Sequence, residues 1–223
     1  MGIEGIDRML NGGIPINHTV AVCGGPGTGK TLMGFEYIYK GAKDGQPGIF
    51  VSLVENERLL VNNIKATFSD WGDLDSLMEN GKIFVSKPST LDIIGLADLI
   101  EKYIINNGVR RVVIDSANVL NVSFESEHEY RQTMQEFLSL ISSMDCTTLM
   151  TYELPSYSRE TPNFGVEQYI SDGIINLYYI QRNEKRVRAL EVLKMRGTGF
   201  VEELVPFKVM PRGLEVYVGE KIY

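Results

Sequence analysis

The chain has 223 residues, 43% of them hydrophobic, which is enough for one α/β domain with a sizeable core. Its formal net charge of −7 argues weakly against a protein that coats nucleic acid. No apolar run approaches the length of a membrane span and no basic-then-apolar leader opens the chain, so we expect a cytoplasmic protein.

The first half of the chain alternates apolar runs with helical patterns. A short helix within residues 2–15 leads to an apolar run, residues 19–23, that is typical of a buried strand. The pattern then predicts a helix at 32–43, a strand at 48–53, a helix at 55–71 and a strand at 83–85. Ser89 or Thr90 is expected to cap a further helix, which runs to residue 107 and ends at Gly108.

The second half begins with the same alternation and then changes to strands. We predict a strand at 110–116, a helix from the cap Ser126 to residue 144, a strand at 147–153, and one or two helical turns at 166–171. Four further strands follow, at 174–181, 187–194, 205–209 and 214–218. This order predicts an α/β fold, a mostly parallel, doubly wound sheet with an antiparallel C-terminal extension, in one domain that spans residues 1–223.

A complete phosphate-binding loop, GGPGTGKT, occupies residues 24–31 between a predicted strand and a predicted helix. Its glycines let backbone N–H groups turn toward a polyphosphate, Lys30 can reach the β- and γ-phosphates, and the Thr31 hydroxyl can hold Mg²⁺. The start of the helix adds its positive end to the site. We therefore expect a nucleotide to be bound by Gly25, Pro26, Gly27, Thr28, Gly29, Lys30, Thr31 and Leu32.

Two acidic residues follow predicted strands. Asp115 ends the strand RRVVID, which is the position of a second Mg²⁺-coordinating carboxylate in phosphate-loop enzymes. We expect that strand to lie beside the strand of the loop, so that Asp115 reaches the metal through water. Glu55 is the best placed carboxylate to orient or deprotonate an attacking water. It is explained equally well as an acid that favours the first turn of the next helix.

Five segments together resemble a RecA-type domain of the KaiC family in order and spacing, over residues 2–218: GIEGIDRMLNGGIP, GGPGTGKT, RRVVIDS, FGVEQYISDGIINL and KMRGT. The first three are shared with RadA and other RecA-like ATPases. The resemblance implies a RecA-like P-loop NTPase with ATP as cofactor. It also implies a homo-oligomeric ring, usually a hexamer, with ATP at the subunit interfaces.

The same resemblance assigns roles to single residues. Lys30 and Thr31 match the phosphate and Mg²⁺ residues, Asp115 matches the acidic residue of the second motif, and Lys194 and Arg196 match a Lys-x-Arg pair that reaches the γ-phosphate of the neighbouring subunit. A cation from the adjacent chain stabilises transition-state charge and makes hydrolysis depend on assembly. That role also fits the local charge, because six of the 22 basic residues lie between residues 182 and 196.

The sequence departs from the family where the catalytic base is expected. The family commonly has two adjacent glutamates after the second strand, the first being the base, whereas this chain has Val54 and Glu55. Valine cannot take a proton, so slow turnover is implied unless Glu55 substitutes. A histidine that often follows the Lys-x-Arg pair is replaced by Phe200.

Three functions therefore stay open. The first is a slow, ring-forming ATPase that acts as a nucleotide-dependent regulator or scaffold, and the second is a module that binds ATP without hydrolysing it. The third is a RadA paralogue that binds single-stranded DNA through loops at 118–126 and 155–165. Tyr157 and Phe164 could stack on bases there, but these loops offer little positive charge for phosphates.

Overall fold

The computed structural model describes residues 1–154, 165–182 and 185–220. The helices are α1 (Glu4–Met9), α2 (Lys30–Lys43), α3 (Glu57–Thr67), α4 (Leu74–Glu79), α5 (Ile93–Asn107), α6 (Glu127–Ser143) and α7 (Val166–Ile170), with a 3₁₀ helix at Ala117–Ser123. The strands are β1 (Thr19–Gly24), β2 (Gly48–Ser52), β3 (Ile83–Ser86), β4 (Arg111–Asp115), β5 (Thr147–Glu153), β6 (Gly173–Arg182), β7 (Lys185–Met195), β8 (Val205–Met210) and β9 (Gly213–Val216). None of the described helices is long and apolar enough to cross a membrane.

The described strands form a single sheet in the order β3-β2-β4-β5-β1-β6-β7-β8-β9. Pairing is parallel from β3 through to β6 and antiparallel from β6 to β9. The predicted fold class is thereby confirmed: a mostly parallel α/β sheet of RecA-like P-loop type with antiparallel C-terminal strands.

Helices cover both faces of the parallel part of the sheet. Along β1, Val20 and Val22 belong to the hydrophobic cluster on the α2 side, and the alternate residues Ala21 and Cys23 belong to the cluster on the side of α5 and α6. Side chains of successive strand residues point to opposite faces, so a strand buried on both faces is apolar throughout. This burial explains why β1, β2 and β4 could be predicted from continuous apolar runs.

The helix expected at 55–71 is shorter than predicted at both ends: α3 spans Glu57–Thr67, and the separate helix α4 begins only at Leu74. Asn56 caps α3 by accepting a hydrogen bond from the Arg58 N–H at 3.0 Å. The chain turns before α4 because the Trp71 ring stacks between the rings of Tyr39 and Phe68, at centroid distances of 3.9 and 4.1 Å. A turn that is fixed by such contacts between distant segments leaves no signal in the local periodicity.

Two smaller expectations are also corrected. Asp92, rather than Ser89 or Thr90, caps α5, because its side chain accepts a hydrogen bond from the Gly95 N–H at 2.7 Å. The strand that ends at Asp115 does not lie beside β1, since β5 pairs with both β1 and β4 and separates them.

A buried carboxyl group joins α2 to the C-terminal hairpin of β8 and β9. Glu36 is 1% exposed, and its Oε2 accepts a hydrogen bond from the Leu214 N–H at 2.7 Å. The Lys40 ammonium lies 3.9 Å away. Burial raises the pKa of Glu36 to about 7, against the opposing effects of the Leu214 hydrogen bond and the Lys40 charge. Glu36 is therefore largely protonated in the folded protein below neutral pH.

Glu36→Gln is expected to remove a pH dependence of stability. The ordinary pKa of 4.5 rises to about 7 on folding, so the folded wild type holds a proton that the unfolded chain has lost. The wild type therefore loses up to about 3 kcal/mol of unfolding free energy as the pH rises between those two values, and no more above them. Urea unfolding followed by Trp71 fluorescence, from about pH 5 to about pH 8, measures the difference from the variant.

The matched control is Glu79→Gln, which changes an exposed glutamate at the end of α4. Its difference from the wild type should stay constant over the same pH range. A constant difference for Glu36→Gln as well would contradict the raised pKa.

Candidate functional site

The 24–31 segment joins the end of β1 to the start of α2, and its backbone requires its glycines. Gly27 and Gly29 have φ angles of 73° and 110°, in the left-handed region that side chains disfavour. A Cβ on Gly24 would lie 2.5 Å from the carbonyl oxygen of Leu177 in β6. The Thr28 hydroxyl donates to the Gly25 carbonyl at 2.8 Å. These constraints set a turn that leads into the N–H groups of the first turn of α2.

The Lys30 side chain folds back onto the start of this loop. Its ammonium donates to the carbonyl oxygens of Gly24 and Gly25, both at 2.9 Å. Burial lowers the pKa of Lys30, whereas the negative charges of Glu153 and Asp115 raise it. A phosphate oxygen is a stronger acceptor than a neutral carbonyl, so Lys30 is positioned to exchange these contacts for an anion.

Thr31 and Asp115 are in contact, although β1, which leads to the loop and Thr31, and β4, which ends at Asp115, are not neighbouring strands. The Thr31 hydroxyl donates to Asp115 Oδ2 at 2.8 Å, and the Thr151 hydroxyl donates to Asp115 Oδ1. Helix α2 lies directly on β4 at Gly34, where a Cβ would come within 2.9 Å of Val113 Cγ1. The crossing of α2 over β5 therefore replaces the strand adjacency that we had expected.

The donor set of this pair fits Mg²⁺. A hydroxyl and a carboxylate in contact supply two oxygen ligands at the start of α2. Magnesium in phosphate sites commonly takes one or two protein carboxylates and completes its coordination with phosphate and water oxygens. Within the described ranges there is no group of three or more His, Cys, Asp or Glu residues that could hold a metal. The pair therefore suits a metal that arrives with phosphates better than a preformed protein cage.

Val54 and Glu55 follow β2 close to Asp115. Ser52 is opposite Asp115 in the β2–β4 pairing, and the Leu53 N–H donates to the Asp115 carbonyl at 2.6 Å. Val54 is 57% exposed and Glu55 is also exposed. Glu55 precedes the cap of α3, so it is not the first-turn acid of that helix; Glu57 holds that position.

Lys194 and Arg196 lie at the opposite end of the sheet from the loop. Met195 is opposite Gly173, and Gly173 is opposite Val20, which precedes Gly24 by four residues along β1. Four residues of strand span about 13 Å. The Lys194 ammonium donates to the Ser171 carbonyl at 2.5 Å, and Arg196 Nη1 forms an ion pair with Asp172 Oδ1 at 3.2 Å. One chain therefore does not bring this pair to its own loop.

Arg188 contacts the loop and was missed by the sequence interpretation. Its Nε and Nη2 donate to the Gly27 carbonyl at 3.2 and 3.1 Å, and its guanidinium lies 4.9 Å from the centre of the Tyr179 ring. Tyr179 is opposite Arg188 in the β6–β7 pairing. The sequence places the basic residues between 182 and 196 in one positive segment. In the structure, six residues of strand, about 20 Å, separate Arg188 from Lys194. The predicted β6–β7 hairpin already contained that separation.

Of the two loops considered for DNA binding, the structure describes the first. Part of the first, predicted as a loop at 118–126, forms the 3₁₀ helix Ala117–Ser123. The Asn118 side chain links this segment to β5: its amide nitrogen donates to the Glu153 carbonyl at 3.0 Å, and its amide oxygen accepts from the Glu153 N–H at 2.7 Å. Tyr157 and Phe164 of the second loop lie outside the described residues.

Comparison with known proteins points to one family. The family model described as the KaiC ATPase matches residues 1–221. The chain is 31% identical over 228 residues to the circadian clock oscillator protein KaiC of Synechococcus elongatus, covering 96% of this chain and 43% of that protein. It is 30% identical over 227 residues to the same-named protein of Parathermosynechococcus lividus, covering 97% of this chain and 41% of that protein. The chain thus spans less than half the length of these curated relatives.

Lys30→Ala is expected to weaken Mg²⁺-ATP binding by roughly tenfold to a hundredfold, because a hydrogen bond to a charged group contributes about 1.5–3 kcal/mol. Isothermal titration calorimetry measures the change. Lys102→Ala, which removes an exposed ammonium on α5, is the control and should bind like the wild type. Equal affinities for both variants would show that ATP does not depend on this loop.

Proposed function

The chain belongs to the KaiC ATPase family, and we propose that it is one RecA-like domain that binds Mg²⁺-ATP at residues 24–31 and hydrolyses it slowly. It works as a homo-oligomeric ring, a hexamer, with ATP at the interfaces, and acts as a nucleotide-dependent regulator or scaffold. The observation that carries this proposal is the separation of the loop from Lys194 and Arg196 at opposite ends of one sheet.

The binding half of the site comes from a single subunit. Lys30 supplies a positive charge, α2 supplies its N-terminal N–H groups, and the Thr31–Asp115 pair would hold Mg²⁺. Bound Mg²⁺ would neutralise charge on the phosphates. Arg188 secures the loop through the Gly27 carbonyl. Membership of an ATPase family agrees with this use of the loop.

The second half of the site is supplied by a neighbouring subunit. Arg196 is on the surface, with 59% of its side chain exposed, and its described ion-pair partner is Asp172. In a ring, the end of the sheet that carries Lys194 and Arg196 in one subunit faces the loop of the next. The pair then stabilises the charge that develops on the γ-phosphate during hydrolysis.

Slow turnover follows from the position of Val54. The turn after β2 follows the residue paired with Asp115, and a carboxylate there could act on an attacking water, but Val54 offers only an apolar side chain. Positioned general bases contribute about 10²–10⁴-fold to rates. A site without one at this place binds nucleotide better than it hydrolyses it.

Arg196→Ala is expected to lower the hydrolysis rate by roughly 10³-fold, the lower end of what a trans-acting arginine contributes, with ATP affinity nearly unchanged. Phosphate release and calorimetry measure the two quantities.

Light scattering and particle imaging with and without Mg²⁺-ATP test the ring in the same samples. A chain that stays monomeric with saturating nucleotide would overturn the assembly proposal.

Mixing two inactive variants tests whether the pair acts between subunits. Lys30→Ala has a defective loop but an intact Lys194 and Arg196, whereas Arg196→Ala has an intact loop. Mixed rings should recover phosphate release, because some interfaces combine one intact half from each variant. A mixture with no more activity than the sum of its parts would place both halves in one chain.

Val54→Glu is expected to raise phosphate release at least tenfold, since a positioned base contributes about 10²–10⁴-fold and residue 54 closely follows Ser52, which pairs with Asp115. Val54→Gln is the matched control, because it has nearly the same shape and cannot accept the proton. A flat or lower rate for Val54→Glu would refute the missing-base explanation.

A further inference from the structure

The backbone of Glu153 is held next to the phosphate-binding loop from two sides. Glu153 is opposite Gly24 in the β5–β1 pairing, and the next N–H, of Leu154, donates to the Gly24 carbonyl at 3.2 Å. On the other side, the Asn118 side chain bonds to both the N–H and the carbonyl of Glu153. The last residue of β5 therefore has a fixed place at the site.

The side chain of Glu153 lies on the same face of the sheet as the metal-binding pair. Along β5, Leu149 packs in the cluster on the α2 side, and Thr151 donates its hydroxyl to Asp115. Met150 and Tyr152 pack in the cluster on the opposite face. Because strand residues alternate, Glu153 follows Leu149 and Thr151 onto the face that carries α2, Lys30 and Asp115.

The charge of Glu153 acts on the site. After burial, which lowers the pKa of Lys30, the largest effect on that pKa is the rise caused by Glu153, ahead of that caused by Asp115. Asp115 is engaged by the Thr31 and Thr151 hydroxyls, whereas the Glu153 side chain is exposed. A carboxylate with access to water thus lies opposite Gly24, whose carbonyl accepts a hydrogen bond from Lys30, the residue that would hold the γ-phosphate.

We propose that Glu153 is the proton acceptor for the attacking water, in place of the base that Val54 cannot supply. The inference rests on the proposed ATP hydrolysis. The water oxygen bonds to the γ-phosphorus as the bond from that phosphorus to the β,γ-bridging oxygen breaks. One water proton passes to the Glu153 carboxylate, and the bridging oxygen keeps the electron pair and leaves on ADP. The proton then passes to the released phosphate or to solvent.

A merely electrostatic role for Glu153 predicts a different result for nucleotide binding. If the carboxylate served only to hold the Lys30 ammonium in place by its charge, its neutralisation would weaken ATP binding. If it is the proton acceptor, it also repels the phosphates of bound ATP, so its neutralisation should leave the affinity unchanged or raise it. Affinity and rate measured together therefore separate the two roles.

The experiment compares Glu153→Gln with wild type in single-turnover phosphate release and in calorimetric binding of a non-hydrolysable ATP analogue. The expected result is a rate lower by about 10²-fold or more, the contribution of a general base, with affinity equal or higher. Glu153→Asp keeps a carboxylate and should retain more activity than Glu153→Gln. Glu79→Gln, at the other end of the sheet, is the control and should match the wild type in both.

Three outcomes would overturn the inference. The first is an unchanged rate in Glu153→Gln, and the second is a lower rate with affinity weakened tenfold or more. The third is a loss of rate in Glu55→Gln but not in Glu153→Gln, which would assign the proton to Glu55. A wild type that binds ATP without any phosphate release would instead refute the proposed hydrolysis itself.

Restoring the base at its expected place provides an independent check. Val54→Glu added to Glu153→Gln should recover phosphate release, because the new carboxylate takes over the proton. If the double variant stays as slow as Glu153→Gln alone, Glu153 does something that a base at residue 54 does not replace, and the inference fails.

Discussion

The candidate site depends on how closely α2 lies on the sheet. Two glycines seven residues apart share one face of the helix, and a Cβ would come within 2.9 Å of Val113 at Gly34 and 2.3 Å of Arg111 at Gly41. A side chain at Gly34 would have to displace Val113 or the helix, and one at Gly41 would have to displace the buried Arg111 side chain. Because α2 begins at Lys30, the same close approach brings Thr31 to Asp115 across the intervening strand β5. Packing along the whole helix thus sets the geometry at its first turn.

The charged residues considered for the site lie at two opposite ends of the sheet. The end of the sheet that carries the loop has Lys30, Arg188, Asp115 and Glu153, while the opposite end has Lys194 and Arg196 beside Asp172. A strand pair as long as β6 and β7 gives a short basic segment of sequence two separate locations. This separation is the physical basis for the proposal that a neighbouring subunit completes the site.

Much of the fold could be predicted from the chain, and its failures have a common cause. β5 was predicted with its observed bounds and the end of α5 at Gly108 was found, because apolar runs and a left-handed glycine are local signals. The predicted end of the helix at 55–71 was wrong because α3 ends at Thr67. Beyond it Trp71 packs against Tyr39, a residue more than thirty positions away. The caps Asn56 and Asp92 were missed because several polar residues nearby were equally plausible on sequence grounds.

The sequence by itself determined the chemistry of the loop, since eight contiguous residues carry the glycines, the lysine and the hydroxyl in the order that a phosphate requires. It also determined the family, through motifs in the right order. Only the tertiary structure decided the strand order, the contact of Arg188 with Gly27, and the place of Glu153 beside Gly24. The two contacts join residues that are 161 positions apart for Arg188 and Gly27 and 129 positions apart for Glu153 and Gly24. Such pairings are set by register and helix packing across the sheet, and no local pattern contains them.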